Sequence, residues 1–249
     1  MGRRRWVVLA LLFLLPNTGA AMETAEQVIK KVEDNLNGKS AVLKITMKVK
    51  TKRAERVMKM ESRSVGSEQS FIQILYPRKD KGITFLKIDH AMWQYVPRIE
   101  KTIKIPASMM LQSWMGSDFT NDDLVRESSL SEDYTVNLLG ATEQVYKAEL
   151  LPKEEAAVVW GKIVMEVSRE YYLPTNVQYF DEEGVLVREL SYTDVQSFGE
   201  RFYPTRWKML PKEPAKAGHV TIMEIDEAQF DTEIDPSYFT KRALKRYSD

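Results

Sequence analysis

The chain has no cysteine, only two histidines and no surplus of either charge: Lys+Arg 36 stand against Asp+Glu 36 in 249 residues. Each shortage closes off a class. Without cysteine there is no disulfide framework, so the core alone must hold the fold. A zinc site would need carboxylates to complete it, and neither His90 nor His219 has neighbours at ligand spacing. Without a basic surplus the chain lacks the electrostatic footprint of a nucleic-acid binder. There is no G-x-S-x-G elbow to carry a serine nucleophile and no glycine-rich phosphate loop. Past Leu15 no stretch is apolar enough for a membrane helix.

What is present begins with Arg3, Arg4 and Arg5, an unbroken apolar run from Trp6 to Leu15, and Pro16. Small residues follow at Thr18, Gly19, Ala20 and Ala21. This is the pattern of a secretory signal peptide. The run is short for a span of about 20 residues, although a retained anchor is the alternative. Residues 1–21 are therefore expected to be removed and 22–249 to form one domain. No cysteine follows the cleavage site, so the new N-terminus cannot be acylated.

The mature chain opens with an amphipathic helix. Thr24 and Gln27 form a capping box, Val28, Ile29, Val32 and Leu36 recur at helical spacing, and Gly38 ends it. The period then changes from 3.6 to 2. Leu43, Ile45, Met47 and Val49 alternate with Lys44, Thr46, Lys48 and Lys50, as in a half-buried antiparallel strand. Further strands are predicted over 54–62, 70–76, 84–89, 91–96 and 101–105. They resume over 132–139, 143–150, 158–168, 174–181, 185–192, 202–210 and 220–230. A short basic helix is predicted after Asp235-Pro236. About a dozen strands at short spacing make a sandwich or barrel. A transmembrane barrel fits poorly, because the alternate faces carry Lys and Glu rather than lipid-facing apolar residues.

Two segments carry candidate chemistry. In 106–129, Met110, Leu111, Trp114 and Met115 fall on one face if the segment is helical. A Met-rich face adapts to variable apolar partners, which reads as a lid; the alternative is a helix packed permanently on the core. The acidic residues Asp118, Asn121, Asp122 and Asp123 lack the mid-loop Gly and distal Glu of an EF-hand. They read instead as a short helix start capped by Thr120. In 91–96, Trp93 and Tyr95 share a face, with Arg98, Lys101 and Lys104 close behind. Aromatics beside cations suit an acyl chain and its anionic head group; the alternative is a cross-strand aromatic cluster with solvated bases.

The stretch from Ile74 to Tyr134 also carries a resemblance. Tyr76-Pro77, Lys81-Gly82, Trp93-Gln94-Tyr95-Val96-Pro97 and Ile105-Pro106 lead into the unbroken run from Ser108 to Leu124, closing on Glu132-Asp133-Tyr134. This resembles the outer membrane lipoprotein-sorting protein family, the LolA-like group of exported bacterial proteins. The resemblance implies an unclosed antiparallel β-barrel whose mouth is covered by helices. It also implies a concave face that binds lipoprotein acyl chains, and for some members an association with large inner-membrane exporters.

Residues and resemblance together predict a mainly β, open-barrel carrier in the periplasm. Keeping an acyl chain in water costs about 0.8 kcal/mol per exposed CH₂, so a carrier must supply a dry groove. The expected lining is Leu43, Ile45, Met47, Trp93, Tyr95, Met110, Leu111, Trp114 and Met115, with Arg98, Lys101 and Lys104 at the head group. No catalytic residue, metal or cofactor is assigned. The expected partners are a lipid or lipoprotein acyl chain and an inner-membrane transporter, the chain itself being a monomer. An accessory subunit docking on the exporter without lipid is the second reading, and a hydrolase of envelope lipids the third. N-terminal sequencing of the exported protein should find a start near Ala21 or Met22; an intact Met1 in the membrane fraction would contradict the signal-peptide reading.

Overall fold

The capping box forms as its residues require. In the computed structural model, Gln27 N donates to Thr24 Oγ1 at 3.3 Å, and Thr24 N donates back to Gln27 Oε1 at 2.9 Å. They open helix α1 (Ala25–Asn37), which buries Val28, Ile29 and Val32. Gly38 ends it at φ 62°, its N–H donating to the Asp34 carbonyl. The residues described are 23–126, 130–156 and 158–248, so the signal-peptide reading lies outside them.

One antiparallel sheet follows. Its first run is β1 (Ser40–Lys50), β2 (Glu55–Val65), β3 (Gln69–Tyr76), β4 (Thr84–Ile88), β5 (Ala91–Val96) and β6 (Lys101–Lys104). After α2 (Asp123–Arg126) and α3 (Leu130–Asp133) come β7 (Tyr134–Ala141), β8 (Val145–Pro152), β9 (Lys162–Ser168) and β10 (Pro174–Phe180). The last strands are β11 (Leu186–Phe198), β12 (Arg201–Pro211) and β13 (Val220–Phe230), followed by α4 (Lys241–Arg246). The spatial order is β6-β5-β4-β3-β2-β1-β13-β12-β11-β10-β9-β8-β7. Two meanders are thus joined where the first strand meets the last, and β6 and β7 are left as unpaired ends. The barrel is unclosed.

It is nevertheless strongly curved. Lys87 on β4 and Met165 on β9 line one cavity, although eight strand steps separate their strands. Laid flat, that distance would be roughly 38 Å at ~4.8 Å per strand. The sheet must bend into a trough to bring them together.

Cross-strand register decides which face each residue meets. One inward row runs Leu43–Ser62–Ile72–Phe85, another Ile45–Met60–Ile74. The alternate residues Phe71, Leu86 and Tyr95 form a separate cluster on the convex face. There the C-terminal segment covers them with Phe239, Ala243 and Leu244. Asp235 caps its first turn and Thr240 caps α4, and Tyr238 stacks on Tyr247 at 4.2 Å. Gly82, at φ 84°, leaves no room for a side chain: an added Cβ would lie 2.0 Å from the Ser248 carbonyl oxygen.

Two sequence expectations are corrected here. Residues 106–116 do not form a helix. They make two separate 3₁₀ turns, Ala107–Met109 and Trp114–Gly116, with Met115 left-handed at φ 50° and Gly116 at φ 68°. The Trp114 N–H turns away from helical pairing to the Phe119 carbonyl at 2.8 Å, and Ser113 bridges to Thr120. Trp93 and Tyr95 do not face the hollow either. Trp93 pairs with Leu86, a residue of the convex face, whereas their neighbour Met92 points into the main core.

Candidate functional site

Between the concave face, α1, residues 114–124 and Leu130 lies a cavity of ≈ 220 Å³. Its floor is unusual in its methionines. Met47, Met58, Met60, Met92, Met165, Met209 and Met223 are all buried in the core beneath it, and Met60, Met165 and Met223 reach its surface. Register sets several side by side, since Met47 pairs with Met58 on one side and Met223 on the other. Tyr179, Tyr192, Tyr203 and Trp207 close the far wall. The methionine-rich surface foreseen for the lid belongs mainly to the sheet. Unbranched thioether side chains repack at low cost, so such a floor tolerates occupants of different shape.

Of the residues expected to line a hollow, Leu43, Ile45 and Trp114 do so. Met47 is fully buried in the core and does not reach the cavity. Met110 and Met115 pack at the edge of the core, and Leu111 is exposed. Trp93 sits on the convex face with Lys241 4.8 Å and Lys104 5.8 Å from its ring centroid. The bases proposed for a head group, Arg98, Lys101 and Lys104, are exposed at the β6 end and line no part of the cavity. Their sequence proximity to Trp93 is real, but it is proximity on the outer surface.

The roof is a compact plug rather than a helix. Asn121 ties it internally, donating from Nδ2 to the Met109 carbonyl at 2.9 Å and from N to the Gln112 carbonyl at 3.1 Å. Three links pin it to the sheet. Thr221 Oγ1 donates to Asp118 Oδ2 at 2.7 Å and accepts from Asp118 N at 3.0 Å. Arg56 Nη2 donates to the Met115 carbonyl. Asp123 and Arg188 form a two-pronged ion pair in which both side chains are buried. The Arg188 guanidinium also lies 4.4 Å from the ring centroids of Trp160 and Tyr179. Asp123 also accepts from Thr120 N at 2.7 Å, and Thr120 Oγ1 from Asp123 N at 3.2 Å, so the predicted cap at Thr120 forms. Trp114 drops from the plug to pack against Phe85, the ring centroids 5.3 Å apart and the planes tilted by 56°. Its indole Nε1 is buried without a hydrogen-bond partner among the described residues.

The cavity is polar at one end. Ser64 pairs with Ser70, and Ser70 with Lys87, making one inward row beside the β2–β3 turn. Ser67 and Gln69 join them. Four residues along β1 and β2, roughly 13 Å at ~3.3 Å per residue, separate this row from the Ile45–Met60 row. Lys87 is 7% exposed and donates from Nζ to the Ser67 carbonyl at 2.5 Å. Burial pushes its pKa down to about 8, against the pull of Asp89 and Glu68. Across from it on α1, Glu33 accepts from Ser131 N at 3.1 Å and Ser131 Oγ at 2.6 Å, and burial raises its pKa. Sequence reading passed over this row because it exists only in register. The visible signal was a lysine in the otherwise uncharged 83–88.

Among the described residues no cluster of His, Asp and Glu is arranged to hold a metal, and no helix is long and apolar enough to cross a membrane.

A trough-shaped sheet of two meanders, roofed by an N-terminal helix and a loop plug over an amphipathic cavity, is the LolA-like fold, and solved structures share it. A DUF1329 family protein from Desulfovibrio piger superposes with TM-score 0.81 at 18% identity, covering 88% of this chain and 97% of its own. A putative outer membrane lipoprotein-sorting protein domain from Vibrio parahaemolyticus gives 0.76 at 21%, covering 89% and 98%. A LolA superfamily protein from Nitrosomonas europaea gives 0.74 at 20%, covering 89% and 99%. No functionally curated protein matches the sequence. A family model described as that of an uncharacterized protein matches residues 66–246, and the chain belongs to that family.

Two stability predictions follow from the buried charges. Arg188→Met leaves Asp123 charged, buried and without its cation, which costs about 3–5 kcal/mol. Adding Asp123→Leu should recover a large part of that in urea denaturation, and a single-variant cost under about 1 kcal/mol would contradict the pair's structural role. Lys87 has the opposite sign. Its folded pKa lies below its ordinary 10.5, so its burial penalty is complete below about pH 8 and is relieved as pH rises toward 10.5. Lys87→Met should therefore be more stable than the parent at pH 7, by up to about 3 kcal/mol, with the advantage fading through that window.

Proposed function

We propose that the protein is an exported carrier that holds an acyl chain in the cavity and moves it between the two membranes of the cell envelope. The observation that carries this reading is the cavity itself: a methionine and aromatic floor under a plug pinned by a few polar links. A sheet face that served only as core would be filled to crystal-like density. Here α1 and the plug leave space, and the residues around it are of the adaptable kind. At ≈ 220 Å³ the space is smaller than the roughly 300–1,000 Å³ of drug-sized sites. Loading therefore requires the plug to lift, and the three polar links to Thr221, Arg56 and Arg188 are its hinges and latches. Binding by burial needs no catalytic group, so we read the protein as a carrier rather than an enzyme. The signal-peptide pattern supports a periplasmic location, as do relatives described as lipoprotein-sorting and LolA superfamily proteins.

A second reading, an accessory subunit docked on an inner-membrane exporter, is favoured by one observation. Ile99, Ile103, Met109 and Leu111 are exposed apolar side chains, the first two at the unpaired β6 end and the others on the plug. A partner contacting them would touch the plug directly, so the two readings are compatible as donor docking and cargo loading.

Mass spectrometry of organic extracts of the purified soluble protein should find a co-purifying acyl lipid. Leu43→Trp, which fills the cavity from a half-buried position on its floor, should remove that lipid without lowering the melting temperature. Clean extracts from both proteins would contradict the carrier reading and leave the docking subunit.

A further inference from the structure

We propose that the rim of the sheet at β6, together with α4, docks the protein on a bilayer surface rich in anionic phospholipid head groups. Such docking rests on the carrier reading, for which it supplies the surface where cargo changes hands, although the residues concerned lie outside the cavity.

From Arg98 to Ser113 the chain runs almost wholly in solvent: only Ile105 is buried and Met110 half-buried. Large apolar side chains project from this stretch, Ile99 and Ile103 at the β6 end and Met109 and Leu111 on the plug, with Ile99 55% and Leu111 59% exposed. Among them stand the exposed Arg98, Lys101 and Lys104, and α4 adds the exposed Lys241, Arg242 and Lys245. These residues form one surface. The Lys104 and Lys241 ammonium groups both lie over the Trp93 ring, 5.8 and 4.8 Å from its centroid. The chain beyond α4 also meets the turn that leads into β6, since a Cβ placed on Gly82 would lie 2.0 Å from the Ser248 carbonyl oxygen and 3.2 Å from Pro97 Cγ. Glu100 is the one carboxylate in residues 97–111 and 241–246. None of these cations is in an ion pair among the described residues, whereas Lys44, Lys48 and Arg206 elsewhere on the sheet pair with Glu227 and Glu224. In a chain whose formal net charge is +0, that is a segregation of charge, and it favours an anionic partner. The mixture decides the class of partner. Lysine is depleted at protein–protein interfaces, and a strip exposed along its length gives a peptide no groove to enter. Apolar tips spaced among long cations suit a lipid interface: the tips enter the acyl boundary while each cation meets an anionic head group. The Met109 carbonyl accepts from Asn121 Nδ2 at 2.9 Å, so the docking strip is tied directly to the plug, and docking sets the roof of the cavity against the bilayer.

The test is co-sedimentation of the purified protein with vesicles of phosphatidylcholine alone and of phosphatidylcholine mixed equally with phosphatidylglycerol. The parent protein should bind the anionic vesicles and leave the neutral ones, and about 1 M salt, where the Debye length is about 3 Å, should release most of it. Lys101→Gln, Lys104→Gln and Lys241→Gln together should lower the partition coefficient by about fivefold for each charge removed, while the corresponding Lys→Arg changes preserve it. Ile103→Ser with Leu111→Ser should weaken binding to the anionic vesicles with every charge intact. All these positions are exposed, and an unchanged melting temperature shows that each variant is folded. Leu43→Trp, which fills the cavity, should bind vesicles as the parent does. Loss of vesicle binding in Leu43→Trp would mean that lipid enters the cavity while the rim does not dock, which overturns the docking surface and leaves the carrier reading intact. Equal binding to neutral and anionic vesicles, or binding that survives the three Lys→Gln changes, would overturn it as well. If the parent sediments with neither kind of vesicle, the exposed strip serves a protein partner and the bilayer proposal fails, while the carrier reading is still decided by the lipid in its own extracts.

Discussion

The pairing of β1 with β13 governs the molecule. It joins two meanders that would otherwise be separate sheets, and it lies at the centre of a thirteen-strand run whose ends never meet. A sheet this long must curl or split, and this one curls. Curling gathers the inward side chains of strands far apart in the order around one hollow, while the missing closure leaves that hollow without a lid of its own making. The helix α1, the plug and the pinning ion pair Asp123–Arg188 all answer that one geometric need. The roof is made of short, irregular pieces joined to the sheet by few polar links, so opening it disturbs little of the strand ladder.

The two faces of the sheet meet this constraint differently. The convex face over β3–β5 is sealed by the C-terminal segment, where Phe71, Leu86 and Tyr95 pack with Phe239 and Leu244. That seal relies on rings and branched side chains in fixed contact, including the Tyr238–Tyr247 stack and Arg63 over Tyr238 at 4.3 Å. The concave face relies on methionine. Permanent packing favours side chains with defined rotamers, whereas a surface that must accept different neighbours favours unbranched ones. The contrast within one sheet sets a face in fixed packing against the face proposed to bind cargo.

Much of the fold was legible because its signals are local. The Thr24–Gln27 box, the switch of period after Gly38, and the turn residues between strands each act over a few neighbours, and the elements appear where those signals put them. The strand after Gly184 runs to Phe198, beyond the predicted Tyr192, because β12 supplies a partner that alternation alone does not reveal. The site was less legible. β4 is buried on both sides, so alternation could not tell the inward face of its neighbour β5, and Trp93 and Tyr95 were placed on the wrong one. Helical spacing of Met110, Leu111, Trp114 and Met115 was genuine in sequence but was overruled by the left-handed Met115–Gly116 pair. The Ser64–Ser70–Lys87 row joins residues from three strands, and only register assembles it.

The central claim is that an acyl chain enters between the plug and the far wall, and two of the chain's own tryptophans stand there. Trp114 and Trp207 line the cavity, whereas Trp93 lies on the convex face. The most direct measurement is fluorescence quenching by a dibrominated stearate, whose bromines quench an indole only at contact, in variants retaining one of these three tryptophans at a time. The account predicts saturable quenching of Trp114 and Trp207 and none of Trp93. Quenching of Trp93 alone, or no saturable quenching at any of the three, would contradict it.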